Sequence, residues 1–335
     1  MRGGRSLHAF AALAAFALTP ATALAEVDWD RIDLPAERSA IESFQHFDQR
    51  LQDVGWQLSR GNAAYCDKTI PSVGLQLQDM ASYGEPQVAR RALELERDFA
   101  VQTAARGSPS ALSGAFAANR EVTRLGAIDP NDWAASPRLN WQRLKLAHDH
   151  IDGLLTREGA VTIGFANGEA VELAPVMVCA TRFEIQGKGD RAVATGDRVV
   201  IGIEFPAFAY EEDVFAGLVA HELAHNFLGH KAWLDRNGRG RRNVRRTERE
   251  ADRLIPWLLA NAGYDPLAAE EFHRTARLTS GSFLFFSGTH QKWRDRAEAV
   301  AGEVPRINAL IAEHGSADWR TNFRREIDPR EGLGD

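Results

Sequence analysis

The segment Val219-Ala220-His221-Glu222-Leu223-Ala224-His225 lies within an apolar run of helical periodicity from Glu211 to Leu228. Acidic side chains stand at the start of the run and a glycine follows its end, which predicts one helix with a favourable first turn. Residues four apart lie on one face of a helix, so His221 and His225 present two imidazoles side by side. This spacing is typical of a divalent metal site, with Glu222 beside the open coordination position.

A second charged segment, Glu248-Arg249-Glu250-Ala251-Asp252, follows downstream. Apolar residues recur at helical spacing after it, so we expect a second helix that begins near Glu248. Glu248 and Asp252 then share a face. A glutamate from a second helix can complete a His-His-Glu site, and a carboxylate one turn later can fix the tautomer of a ligand imidazole. Taken alone, the same residues also fit a solvated, charged start of a helix.

Together the two segments resemble the zinc endopeptidases that include the CAAX prenyl proteases, HtpX and the periplasmic BepA-type proteases. The pattern of that family is HExxH followed by ExxxD. The resemblance implies one Zn²⁺ per chain, bound by His221, His225 and Glu248, with Glu250 as the less favoured alternative to the last. It implies that Glu222 is the general base.

The same family carries a Ser/Thr-His-Pro stretch with an arginine six residues after the histidine, and residues 289–296 resemble it. The resemblance implies that His290 and Arg296 are catalytic residues that stabilise the oxyanion of a tetrahedral intermediate. Gln291 stands where proline is usual in the family. Two alternatives stay open, namely His290 as a packed ring and Arg294 in place of Arg296.

The first 25 residues predict a secretory signal. Arg2 and Arg5 precede a short apolar stretch, and Ala23-Leu24-Ala25 fits a signal peptidase site. An uncleaved membrane anchor is the alternative, but the apolar stretch is shorter than the ~20 residues that a span requires. We therefore expect secretion across the inner membrane to the periplasm, as a soluble chain that begins at Glu26.

Charge restricts the class of partner. The signal segment carries two arginines and no acidic residue, so its removal takes the formal net charge from −6 to −8. A negative chain is not expected to bind nucleic acid in general. The resemblance to the zinc endopeptidases implies a protein or peptide substrate as the partner. Seven arginines between Arg236 and Arg249 predict a solvated loop. Two more specific interpretations are a lid over the cleft and a peripheral contact with phosphate groups at the membrane surface.

Cys66 and Cys179 are the two cysteines of the chain, and in a secreted protein an even count favours a disulfide. Two separate buried thiols are the alternative. Between them the pattern predicts a helix from about Trp141 to Leu155 and a hairpin across Asn167-Gly168. The order of elements resembles a PDZ domain, a module that binds extended peptides at a sheet edge. A module that only spaces or shields the active site is the alternative.

These expectations give an α+β fold, in which a PDZ-like β-rich insertion interrupts a mostly helical gluzincin-type zinc peptidase domain with a small edge sheet. The expected boundaries are a signal peptide at 1–25, a helical part of the peptidase at 26–66, the insertion at 67–176 and the catalytic domain at 177–335. A strand from Arg198 to Ile203 is expected either to pair with extended substrate or to support the active helix from below. His230 is expected at the surface, and the tail from Ile327 to be loose.

The predicted function is a zinc-dependent endopeptidase of envelope or secreted proteins. The rival is a non-catalytic zinc-binding scaffold or chaperone that binds peptides through the PDZ-like module. A structural zinc site normally closes all four positions with protein ligands, whereas this pattern supplies three and leaves Glu222 free. That difference favours the enzyme.

Overall fold

The computed structural model describes residues 27–135, 141–279 and 293–333. The expected signal segment, His290 and the rest of its motif up to Lys292 lie outside the described residues. The chain divides into two units, residues 1–32 and 33–335. In the first unit, Trp29–Arg31 form a short 3-10 helix. All the elements below belong to the second unit.

The second unit begins with a long helix, α1, at Leu34–Gly61. The Asp33 carboxylate caps this helix by accepting a hydrogen bond from the backbone N–H three residues later, and a proline in the first turn suits the same position. Leu51, Val54 and Leu58 recur on one face and are fully buried. This stretch of the expected helical part at 26–66 is thus a helix.

The chain between the two cysteines contains short strands and helices with a hydrophobic core of their own. In chain order they are β1 (Thr69–Ser72), β2 (Leu75–Asp79), α2 (Pro86–Leu93), β3 (Phe99–Ala104), α3 (Pro109–Leu112), β4 (Val122–Leu125), α4 (Gln142–Glu158), β5 (Val161–Phe165), β6 (Ala170–Leu173) and β7 (Val176–Cys179). β2 pairs with β3, and β4, β5 and β6 form an antiparallel sheet. The predicted hairpin between β5 and β6 is confirmed, with Gly168 at a positive φ of 84° that suits glycine.

A disulfide joins Cys66 to Cys179, with their Cα atoms 5.7 Å apart. The predicted pairing is confirmed. β1 and β7 form an antiparallel ribbon beside the bond, in which Thr69 lies opposite Cys179. The segment between the two cysteines, called the inserted segment below, therefore begins and ends at one place.

The remaining chain is a small sheet followed by helices. Its elements are β8 (Arg182–Gln186), β9 (Ala192–Ala194), β10 (Arg198–Gly202), α5 (Glu212–Phe227), α6 (His230–Asn237), α7 (Arg241–Asn261), α8 (Ala268–Thr279), α9 (Trp293–Ala301), α10 (Val304–His314) and α11 (Trp319–Asn322). α1, α5 and α7 share the main hydrophobic core with this sheet. The described residues thus form an α+β protein, as the sequence predicts at that level.

The strand β10 is the central strand of its sheet. β8 pairs with it in parallel on one side and β9 antiparallel on the other. Because both edges of β10 are already hydrogen-bonded, the prediction that this strand pairs with substrate is wrong. Val199 and Ile201 are fully buried, so the alternative, a strand that supports the helix with the two histidines, is confirmed.

The arginine-rich segment is helical, which contradicts the predicted loop. α7 begins at Arg241 instead of near Glu248, because arginine is a good helix former and glycines confine the break to residues 238–240. Arg246 pairs with Glu331, and Arg249 with Glu326. These ion pairs attach the start of α7 to the C-terminal segment.

The C-terminal segment is packed, and the prediction of a loose tail is wrong for its first part. Ile327 is only 1 % exposed and packs with Trp233 and Leu234 of α6. An apolar side chain among buried aromatic and aliphatic neighbours holds the segment in place. Among the described residues, we find no helix with the length and apolar character needed to cross a membrane.

Candidate metal centre

Helix α5 is buried at every position from Val214 to Ala224. Its polar residues His221 and Glu222 are only 4 % and 6 % exposed. Buried polar groups are normally paired, because an unpaired group loses its hydration without compensation. The partners of these two side chains therefore define a site in the helical part of the chain that follows β10.

Three side chains bring nitrogen and oxygen atoms together between α5 and α7. The Nε2 atoms of His221 and His225 are 3.2 Å apart, and Glu248 places one carboxylate oxygen 3.4 Å from the first and the other 3.5 Å from the second. A tetrahedron with zinc-to-ligand bonds of 2.0–2.1 Å has edges of roughly 3.3–3.4 Å. The three predicted ligands therefore lie close together and can hold a metal ion.

The three side chains shift one another's pKa values. Burial opposes the charged form of His221, but hydrogen bonds to Asp252 and Glu248 outweigh it and raise its pKa to about 10. Burial lowers the pKa of His225 to about 3. Burial also opposes ionisation of Glu248, yet the two imidazoles lower its pKa to about 2. Glu248 therefore stays ionised, and His221 would have to release a proton to bind a divalent cation.

Asp252 lies beside the first imidazole, and its predicted role in orienting that ring stays a prediction. Its Oδ1 lies 3.1 Å from His221 Nδ1, which leaves His221 Nε2 turned to the other donors. Arg296 donates to the same carboxylate through Nε at 2.5 Å and Nη2 at 2.6 Å. The structure thus brings Arg296 to Asp252, whereas Arg294 is exposed. The predicted role of Arg296 at an oxyanion stays a prediction.

A histidine that the sequence did not single out completes the surroundings of Asp252. His273 of α8 is fully buried, with Nε2 3.5 Å from Asp252 Oδ1. Burial lowers its pKa to about 3, so it stays neutral. α8 lies close to α5. A Cβ atom placed on Gly217 of α5 would be only 2.9 Å from the Cβ atom of Phe272 in α8, so only glycine fits there. No motif marks His273, and only the packing of α8 reveals it.

Glu222 lies beside the three donors without being one of them. Burial raises its pKa to about 7, with a further rise from the charge of Glu248. The backbone N–H of Ala194 in β9 donates to its carboxylate and partly opposes that rise. A carboxylate that titrates near neutral pH can both accept and return a proton.

His230 is buried, not at the surface as predicted. It is 1 % exposed, with Nδ1 2.9 Å from His225 Nδ1 and Nε2 2.9 Å from Glu250 Oε2. Glu250 also accepts hydrogen bonds from the Arg325 guanidinium and from two backbone N–H groups. Glu250 is therefore turned away from the three donors, and the alternative in which it replaces Glu248 as a ligand is excluded.

Comparisons with protein-family models, curated proteins and solved structures find no match for this chain. The geometry of the site carries the functional argument.

Glu250 gives the protein a measurable sensitivity to acid. Burial opposes its ionisation, but the hydrogen bonds from His230 and Arg325 lower its pKa from 4.5 to about 2. Its contribution to stability is therefore complete above pH 4.5 and is lost as the pH falls towards 2. The difference corresponds to about 3 kcal/mol in the free energy of unfolding. We expect Glu250→Gln to lower stability at pH 7 by up to that amount.

Urea unfolding between pH 3 and pH 7 measures this effect. The variant should lose less stability on acidification than the wild type does. Glu313→Gln is the matched control, because Glu313 lies exposed on α10. Identical pH profiles for Glu250→Gln and the wild type would contradict the assignment.

Proposed function

We propose that this protein is a zinc-dependent endopeptidase that hydrolyses peptide bonds in envelope or secreted proteins. The observation that carries the proposal is that His221, His225 and Glu248, on two helices, each offer one ligand atom and that these atoms lie within 4.8 Å of one another. Three ligands leave one position for water or substrate, as in catalytic zinc sites. We also propose that the fold is of the gluzincin type and that the segment between the two cysteines is a PDZ-like insertion.

The residues around the donors fit hydrolysis. A bound Zn²⁺ supplies Lewis acidity and lowers the pKa of a water molecule. Glu222 accepts the proton of the attacking water and returns it to the leaving amine. Asp252 keeps the proton of His221 on Nδ1 and its Nε2 lone pair directed at the metal position. Glu248 is about one third exposed, so the site has access to solvent on that side.

The outer strand β9 provides an edge for an extended substrate. The C=O of Arg191 and the N–H of Thr195 are hydrogen-bonded to β10. Because backbone groups alternate in direction along a strand, those of Ala192 and Ala194 point away from β10. Ala194 N–H already reaches Glu222 on that side. A peptide added along this edge would lay its backbone beside the general base. In this proposal β9, and not β10, is the strand that pairs with an extended substrate.

The disulfide supports the expected compartment. Structural disulfides persist in oxidising compartments and are rare in the cytosol. The bond between Cys66 and Cys179 therefore supports the proposal that the chain is secreted to the periplasm. A protein or peptide found there is the expected substrate.

The alternative, a scaffold or chaperone that binds peptides through the insertion, has less support. α4 packs against the edge of β2, with Leu77 N 3.4 Å from His148 Nε2. Trp56 of α1 and Phe183 of β8 also line the cavity there, which measures about 70 Å³. Pockets for ligands usually measure roughly 300–1,000 Å³. This cavity is smaller than the usual pocket for a ligand.

Zinc content tests the proposal. We expect one Zn²⁺ per chain in the purified mature protein, with cleavage of casein, and a loss of both in Glu248→Gln because the site keeps only two ligands. Glu313→Gln is the matched control and should behave as the wild type. Wild-type protein without zinc would overturn the metal site, and zinc without cleavage of any protein substrate would favour the scaffold.

A further inference from the structure

A chain of hydrogen bonds runs from the second ligand histidine to the C-terminal segment. His225 Nδ1 contacts His230 Nδ1 at 2.9 Å, and His230 Nε2 contacts Glu250 Oε2 at 2.9 Å. Both His230 and Glu250 are buried to 1 % exposure or less. The first ligand histidine, by contrast, contacts the carboxylate of Asp252 directly.

The proton positions in this chain have one consistent assignment. His225 can offer the lone pair of Nε2 to a metal ion only if its proton is on Nδ1. That proton points to His230 Nδ1, which must then accept and carry its own proton on Nε2. This second proton faces Glu250 Oε2, and a carboxylate accepts it. The opposite assignment would place a proton on the atom of His225 that faces His221 and Glu248.

The far end of the chain is held rigidly. Glu250 Oε1 accepts from Arg325 Nε at 2.8 Å, from Glu326 N at 2.6 Å and from Ile327 N at 3.2 Å. Arg325 Nη2 also donates to Leu228 O at the end of α5, at 3.0 Å. The carboxylate therefore cannot turn away from His230 without breaking several buried hydrogen bonds.

We propose that His230 is a positioning residue for the ligand His225, and that Glu250 and the segment Arg325–Ile327 hold His230 in the tautomer that this requires. The inference rests on metal binding by the proposed site and does not depend on peptide hydrolysis. Partners of ligand imidazoles set their orientation and basicity, and their removal typically weakens metal binding about 10- to 100-fold.

The test is zinc affinity, measured by competition with a chromophoric chelator. We expect His230→Ala to weaken zinc binding about 10- to 100-fold. His230→Gln should recover most of the affinity, because an amide can accept from His225 and donate to Glu250. The visible spectrum of bound Co²⁺ should change in His230→Ala and stay close to the wild type in His230→Gln.

The matched control is His150→Gln, which removes a half-buried imidazole that contacts Leu125 O at 3.2 Å in the insertion. Its zinc affinity should equal that of the wild type. Arg325→Met keeps both histidines and serves as the second variant if His230→Ala does not fold, with weaker zinc binding again expected.

The outcomes separate the two proposals. Wild-type protein that binds no zinc would overturn the metal site itself. Zinc bound by the wild type, with unchanged affinity in the His230 and Arg325 variants, would overturn the positioning chain alone. An equal loss in His230→Ala and His230→Gln would also overturn it, since an amide would then not substitute for the hydrogen bonds of the imidazole.

Discussion

Replacement of Glu222 by glutamine is expected to reduce peptide hydrolysis about 10²- to 10⁴-fold while leaving the fold and the zinc content unchanged. Glutamine has the same shape and keeps an oxygen that can accept from the Ala194 N–H, but it cannot take a proton from water. Glu222 is not among the three donors. The change therefore separates catalysis from metal binding.

The measurement is the rate of casein cleavage at equal zinc occupancy for the wild type, Glu222→Gln and the control Glu313→Gln. Thermal unfolding of the three proteins checks the fold. Full activity in Glu222→Gln would remove this carboxylate from the mechanism. Lost cleavage with retained cellular function would instead favour the scaffold.

Loss of the disulfide is expected to have the largest effect on stability. Cys66 and Cys179 are 113 residues apart in the chain, and a cross-link over that length removes much of the conformational freedom of the unfolded state. The chain-entropy model gives a contribution of about 5 kcal/mol. The double variant Cys66→Ser, Cys179→Ser should therefore unfold at a much lower urea concentration than the oxidised wild type.

Urea unfolding should be followed for the wild type with and without a phosphine reductant, beside the double serine variant. The reduced wild type should approach the variant, and the reductant should leave the variant itself unchanged. Equal midpoints for the oxidised wild type and the variant would show that the bond does not contribute to stability.

The features that the sequence predicted correctly depend on local geometry. His221 and His225 share a face because they are four residues apart on one helix, and the same spacing places Glu248 and Asp252 together. Glu250 lies two residues from each of them, which turns it to the opposite side of α7. The spacing therefore distinguished the carboxylate that faces the two histidines from its neighbour, and the structure shows what the neighbour contacts.

The features that were missed depend on distant parts of the chain. Whether β10 is an edge or a central strand is decided by where β8 and β9 lie, and no pattern within β10 records it. The sequence places His230 at the surface, because nothing near it in the chain indicates its contact with Glu250 on another helix. Arg325 is further away still, and only the packing of the C-terminal segment connects it to the site.

The ribbon of β1 and β7 with its disulfide has a consequence for cleavage of the protein itself. Exposed turns of the inserted segment, such as the one near Leu112, which is 78 % exposed, are accessible to proteases. A cut there would leave an N-terminal fragment with α1 and a C-terminal fragment with α5 and α7. The bond between Cys66 and Cys179 would keep the two fragments in one covalent molecule, so a nicked protein would separate on a gel only after reduction.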